Sequence, residues 1–93
     1  MKKHLRLRIS GKVQGVWYRA STQRKAEELG ITGYVCNMAD GSVYAEVEGE
    51  EELLKKMVEW CREGPTFARV TEVAVEEGTI KDFESFEVKK GSF

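Results

Sequence analysis

The chain has 93 residues, of which 15 are basic and 16 acidic, so its formal net charge is −1. This length predicts one domain over residues 1–93 with a modest hydrophobic core. The balanced charge argues against nonspecific attraction to nucleic acid or to a membrane surface. No apolar run is long enough for a signal peptide or a membrane span. We therefore expect a cytoplasmic monomer with no nucleic-acid or membrane partner.

One histidine and two cysteines limit the chemistry available to the chain. A histidine-centred triad and a multi-histidine metal site are excluded by count, and His4 is expected to lie in the first strand. Cys36 and Cys61 are too few and too far apart for a metal motif or a redox pair. They could form one disulfide, but in a cytosolic chain we expect two free thiols. No acidic cluster indicates a metal ligand set. The sequence predicts no metal and no cofactor.

The spacing of apolar residues predicts two helices and five strands. Alternation predicts a first strand over residues 5–9, and helical spacing predicts a helix over residues 20–29. The remaining elements are a strand over 31–37, a turn over 38–41, a strand over 42–48, a helix over 50–62, a strand over 68–76 and a short strand over 83–89. The tail after residue 89 is expected to be frayed, with Phe93 as a candidate to dock.

This order predicts an α+β fold of the ferredoxin-like class. It is a split βαβ sandwich, βαββαβ plus a short fifth strand, in which two helices cover one face of a mostly antiparallel sheet. The sequence contains no linker, repeat or low-complexity segment that would divide it.

The segment between the first strand and the first helix is the most informative part of the chain. Residues 11–19 read Gly-Lys-Val-Gln-Gly-Val-Trp-Tyr-Arg, and Gly11 and Gly15 allow the backbone to approach a ligand closely. A loop that feeds a helix N-terminus turns free N–H groups toward the gap, where the helix dipole adds partial positive charge. Arg19 adds a charge and a fork of five donors. The segment therefore predicts a site for a doubly charged anion, most simply a phosphate.

The charges of the two predicted helices support an anion at the first one. Isolated helices favour acids in the first turn and bases in the last. The second helix follows this rule, whereas the first has bases near its start and acids near its end. A bound anion would offset that unfavourable placement. The alternative is that Arg24 and Lys25 are ordinary solvated residues.

Two motifs resemble those of the acylphosphatase family, and the resemblance spans nearly the whole chain. The first, Gly-x-Val-Gln-Gly-Val-x-aromatic-Arg, is formed by Gly11, Val13, Gln14, Gly15, Val16, Tyr18 and Arg19. The second, Gly-aromatic-Val-x-Asn followed by Gly-x-Val and Gly, is formed by Gly33, Tyr34, Val35, Asn37, Gly41, Val43 and Gly49. Residues 64–70 resemble the family's passage into its fourth strand.

Two positions depart from the family pattern. Tyr18 stands where phenylalanine is usual, and its hydroxyl needs a partner if it is buried. Cys36 stands where a longer, often basic side chain is usual. Because Cys36 precedes Asn37, it should point to the opposite face of the sheet and alter surface chemistry rather than catalysis.

The resemblance implies an acylphosphatase, an enzyme that hydrolyses the mixed anhydride of a carboxylic acid and phosphoric acid to carboxylate and inorganic phosphate. The phosphate-binding residues that it implies are Gln14, Gly15, Val16, Trp17, Tyr18 and Arg19. The catalytic residues that it implies are Arg19, which neutralises the phosphoryl charge, and Asn37, which holds the attacking water.

Simpler interpretations stand beside these assignments. Gln14 could only brace the loop, Trp17 could be a rim residue, and Asn37 taken alone would be a turn residue at a strand end. Two other functions also remain open. One is RNA binding on the open face of a ferredoxin-like sheet, and the other is a phosphate- or carbamoyl-phosphate-handling domain of the kind fused to larger maturation enzymes.

Overall fold

The computed structural model describes residues 1–93 as a five-stranded sheet with two helices. The strands are β1 (Lys2–Lys12), β2 (Thr32–Asn37), β3 (Val43–Glu50), β4 (Arg69–Gly78) and β5 (Phe86–Ser92), and the helices are α1 (Tyr18–Leu29) and α2 (Glu51–Glu63). The strand order is β4-β1-β3-β2-β5. All neighbouring pairs are antiparallel except β2 and β5, which run parallel. Neither helix has the length and apolar character needed to cross a membrane.

The hydrophobic core lies between the sheet and the two helices, which confirms the predicted ferredoxin-like arrangement. A cluster of 16 buried residues forms this core. Alternate residues of two neighbouring strands belong to it, namely Leu7 and Ile9 of β1 and Val43, Ala45 and Val47 of β3. This period of two places one face of the sheet against the helices.

Tyr18 ties the start of α1 to α2. Its ring is buried in the core beside Trp60, with ring centroids 5.6 Å apart. Its hydroxyl donates a hydrogen bond to the Cys61 carbonyl oxygen at 2.6 Å. Desolvation by burial raises the pKa of this hydroxyl well above its usual range, so it stays a donor. The departure from phenylalanine is therefore accommodated by one buried hydrogen bond.

β1 is longer than the sequence predicts, and β5 lies further along the chain than predicted, over Phe86–Ser92 rather than residues 83–89. β1 reaches Lys2 and Lys12 because it pairs with β3 on one side and β4 on the other. β5 continues to Ser92 beside β2. The expectation of a frayed tail is wrong, because the Phe93 N–H donates to the Asn37 carbonyl oxygen at 3.0 Å while the Phe93 side chain stays exposed.

The face of the sheet opposite the helices carries a buried polar network around His4. The His4 Nδ1 atom lies 2.7 Å from Glu48 Oε2, and its Nε2 atom lies 3.0 Å from Glu46 Oε1. The hydroxyls of Tyr34 and Tyr44 each donate to Glu46 Oε2 at 2.8 Å. These residues belong to adjacent strands, so the network joins β1, β2 and β3.

The connection between β4 and β5 covers this network. The backbone N–H groups of Lys81 and Phe83 donate to the Glu48 carboxylate, and the Lys81 ammonium donates to Glu46. Burial raises the pKa of Glu46, but the hydrogen bonds that it receives outweigh burial and lower the pKa to about 2. The carboxylate is therefore ionised and fully partnered at neutral pH.

Candidate active site

The loop between β1 and α1 is held from both sides. Val13 and Val16 are buried in the core, which fixes the backbone on either side of Gly15. The Gln14 amide donates to the carbonyl oxygens of Met38 at 2.8 Å and Ser42 at 2.9 Å, in the turn between β2 and β3. Bracing by Gln14 is therefore confirmed, and the loop is positioned by the same turn that follows β2.

The loop leaves a run of backbone donors free. None of the N–H groups of residues 14–19 donates a hydrogen bond within the protein. Gly15 has a φ of 76°, in the left-handed region that glycine adopts without steric cost. The first N–H groups of a helix lack intrahelical partners, and here the preceding loop adds more of them. The result is a concentration of donors at the positive end of the α1 dipole.

Arg19 lies in the first turn of α1 and carries an unpaired charge. Its guanidinium Nη1 donates to the Lys89 carbonyl oxygen of β5 at 3.1 Å. Arg6 and Arg8, by contrast, form ion pairs with Glu76 and Asp40. The Lys89 contact uses one donor of the Arg19 fork, so the remaining donors are available to an anion.

Asn37 ends β2 with an unbonded side-chain oxygen. Its Oδ1 atom is buried and accepts no hydrogen bond from the protein. A buried polar atom without a partner costs about 1–3 kcal/mol, and such atoms are rare enough to need an explanation. A ligand or a water that donates to Oδ1 would supply one.

Arg19 and Asn37 line one cavity of about 460 Å³, together with Gly15, Trp17 and Tyr18. The structure therefore brings most of the residues predicted from the sequence to one place. Gln14 and Val16 do not line this cavity: Gln14 braces the loop, and the Val16 side chain is buried in the core.

Four residues that also line the cavity were not predicted as site residues from the sequence, namely Val13, Ala20, Gln23 and Val88. Gln23 follows Arg19 by four positions, so helical spacing alone places the two on one face of α1. Val88 had no such signal, because its position depends on the parallel pairing of β5 with β2.

The two cysteines lie outside this cavity. Both are free, as predicted, and both are buried. The expectation that Cys36 alters surface chemistry is wrong, because its side chain is covered. Burial raises the pKa of the Cys36 thiol and raises that of Cys61 to about 12. No group of three or more His, Cys, Asp or Glu side chains is arranged to hold a metal ion.

The fold and the cavity together define a class, a ferredoxin-like α+β protein with free backbone N–H groups in the loop between β1 and α1. Comparison with known proteins gives the particular family. The Acylphosphatase family model matches residues 5–88, and the chain belongs to the acylphosphatase family. It is an enzyme that hydrolyses acyl phosphates.

Individual relatives support this assignment. An acylphosphatase of Marinobacter nauticus is 59% identical over 71 residues, which cover 76% of this chain and 77% of the relative. The structure of an acylphosphatase from Coxiella burnetii is similar with a TM-score of 0.92 and 40% identity, covering 95% of this chain and 93% of that chain. Full-length HypF, solved in a phosphate- and nucleotide-bound form, is similar with a TM-score of 0.90 and 30% identity, covering 99% of this chain but 12% of HypF.

Proposed function

We propose that this acylphosphatase binds the phosphoryl group on its β1–α1 loop and positions water with Asn37. The observation that carries the proposal is the meeting of three unsatisfied groups around one cavity. They are the free N–H groups of the β1–α1 loop residues that line the cavity, the unpaired Arg19 guanidinium and the unbonded Asn37 oxygen.

The loop and Arg19 bind the phosphoryl oxygens. Backbone N–H groups of residues 15–19 donate to these oxygens, and the guanidinium neutralises their charge. Phosphoryl transfer depends mostly on positioning and on stabilising charge in the transition state. A rigid loop supplies both, because its donors are already held in place by Val13, Val16 and Gln14.

Asn37 holds the nucleophile. Its Oδ1 atom accepts a hydrogen bond from the attacking water, and its NH₂ group donates to a phosphoryl oxygen. The water oxygen bonds to phosphorus as the bond from phosphorus to the acyl oxygen breaks and a carboxylate leaves. An amide is no strong base, so the proton of the water passes to the phosphate itself. A carboxylate is a good leaving group, and the reaction therefore needs no stronger base.

Hydrolysis of benzoyl phosphate by the purified protein in the presence of a metal chelator tests this proposal. We expect turnover to be the same with and without the chelator, because every assigned role belongs to a side chain or a backbone amide. Activity that disappears in the chelator and returns with a divalent metal would contradict the metal-free mechanism. Absence of turnover under both conditions would contradict the activity itself.

The second candidate is a module that handles phosphate or carbamoyl phosphate, and the observation that favours its phosphate-handling part is the similarity to HypF, solved in a phosphate- and nucleotide-bound form. Steady-state hydrolysis of benzoyl phosphate and carbamoyl phosphate by the same preparation separates the two. The proposed function predicts efficient turnover of benzoyl phosphate. Turnover of carbamoyl phosphate alone would favour the second candidate.

RNA binding on the open sheet face is disfavoured. The hydroxyls of Tyr34 and Tyr44 are bonded to Glu46, and a carboxylate-rich network occupies the centre of that face. Electrostatic binding of RNA weakens steeply with salt, so absence of binding to single-stranded RNA even at low salt would dismiss it.

The single domain over residues 1–93, the monomer and the cytoplasmic location stay predictions. Light scattering after size exclusion measures the oligomeric state.

A further inference from the structure

Trp17 is a large apolar residue that the fold leaves 78% exposed. It occupies the N-cap of α1 with a φ of 66° and makes no side-chain capping hydrogen bond. The left-handed region is unfavourable for bulky residues. The only other non-glycine residue with positive φ is Asp82, a residue type that tolerates it. Neither core packing nor helix capping accounts for a tryptophan at this position.

The place of Trp17 suggests what its side chain does. Trp17 lines the same cavity as Arg19 and Asn37, and Ala20 and Val88 add further apolar surface there. The cavity, at about 460 Å³, falls within the range that accommodates small organic ligands. A phosphoryl group on the loop amides fills only part of it. The acyl group bonded to that phosphoryl group must extend into the rest.

We propose that the Trp17 indole contacts the acyl group and makes the enzyme selective for aromatic or bulky apolar acyl phosphates over short ones. The inference rests on the proposed function and deepens it, since it concerns the substrate of the same cavity. An exposed indole offers a flat apolar face with little rotamer entropy to lose, and aromatic rings stack on such faces. A short acyl group contacts less of the indole surface, so this contact stabilises its binding less.

Selectivity between benzoyl phosphate and acetyl phosphate tests the inference. The measured quantity is the ratio of kcat/KM for the two substrates, in which any general disturbance of the loop cancels. Trp17→Asn removes the indole, and asparagine tolerates the left-handed backbone. We expect this variant to lower the ratio about 3- to 10-fold, the range of an aromatic contact. Trp17→Phe should recover most of the ratio because it keeps a ring.

Phe67→Ala is the matched control. Phe67 is 72% exposed but does not line the cavity, so its removal should leave the ratio at the wild-type value. If Trp17→Asn does not fold, Trp17→Gly serves the same purpose. An unchanged ratio in the folded variant, with both substrates affected equally, would overturn the inference.

A binding measurement separates this inference from the proposed function. Benzoylphosphonate and acetylphosphonate carry a carbon–phosphorus bond that the proposed reaction does not cleave, and calorimetry compares their affinities. Preferential loss of benzoylphosphonate affinity in Trp17→Asn supports the inference even if the wild type hydrolyses no acyl phosphate. Equal affinities in wild type and variant, or no binding of either phosphonate by the wild type, would overturn it.

Discussion

Both ends of β1 carry clusters of polar groups, and the two clusters differ in how well those groups are partnered. Near its start, His4 contacts two carboxylates, and the network around it leaves no buried side-chain oxygen unbonded. Beyond its end, the loop leaves backbone donors free, Arg19 lacks a carboxylate partner and the Asn37 oxygen accepts nothing. The first cluster is satisfied by the protein, whereas the second needs a ligand to be satisfied.

This difference shows why charge alone is a poor guide to function. The His4 network contains a histidine, two glutamates and two tyrosines, residue types that are common in catalytic sites. Its groups use their hydrogen-bonding capacity on one another and on the β4–β5 connection. The cavity beside the loop has one charged side chain, Arg19, and that guanidinium has no carboxylate partner. The candidate site is distinguished by several unsatisfied polar groups that meet in one cavity, whereas the other buried side-chain nitrogen or oxygen without a partner, Arg6 Nε, is a single atom on β1.

The largest expected effect comes from Arg19→Ala. One charge-stabilising donor contributes roughly 10²–10³ in rate, and Arg19 also binds the phosphate, so kcat/KM should fall at least that far and phosphate affinity should fall with it. Arg19→Lys should keep only part of the wild-type kcat/KM and phosphate affinity, because an ammonium lacks the forked donors of a guanidinium. Steady-state kinetics and phosphate inhibition measure both. Normal turnover by Arg19→Ala would contradict the role of Arg19 in the site.

Asn37→Ala should lower the rate of hydrolysis while leaving phosphate binding in place. The amide holds water but is not the main phosphate donor, so kcat should fall by about 10² while phosphate inhibition persists. The stability of the fold should change little, because Oδ1 accepts no hydrogen bond from the protein. Near-normal turnover in a folded variant would contradict the water-holding role and weaken the contrast between the two ends of β1.

The contribution of the His4 network to the stability of the fold should depend on pH. The pKa of Glu46 falls from 4.5 to about 2 on folding, so its contribution is fully present above about pH 4.5 and is lost as the pH falls through about 2. The shift corresponds to about 3 kcal/mol. Urea unfolding should therefore show Glu46→Gln to be destabilised at pH 7, with the difference from wild type closing toward pH 2.

Glu76→Gln is the control for that measurement. Glu76 forms an exposed ion pair with Arg6, and such pairs contribute little. The difference from wild type should stay small at every pH. A Glu46→Gln variant that behaves like this control would show that the buried network does not stabilise the fold.

Local patterns in the sequence predicted the element order, the loop and Arg19, whereas the role of Asn37 was implied only by the resemblance to the acylphosphatase family. Alternation, helical spacing and glycine placement are carried by residues close together in the chain. The His4 network could not be predicted this way, because it requires the register that places His4 opposite Glu48 on β3. Val88 and the ordered tail depend likewise on β5 pairing with β2, across about half the chain. Pairings between distant segments were the part that local patterns could not predict.

The smallest expected effect comes from Tyr18, a residue of the unsatisfied loop whose own hydroxyl is satisfied by the protein. Tyr18 is part of the loop motif, yet its hydroxyl is satisfied by the Cys61 carbonyl oxygen. Tyr18→Phe removes one buried hydrogen bond, so the free energy of unfolding should fall by about 1 kcal/mol. Urea unfolding at pH 7 measures the change. A much larger loss of stability would mean that this hydroxyl organises the start of α1. The contrast between a satisfied network and an unsatisfied loop would then not hold at Tyr18.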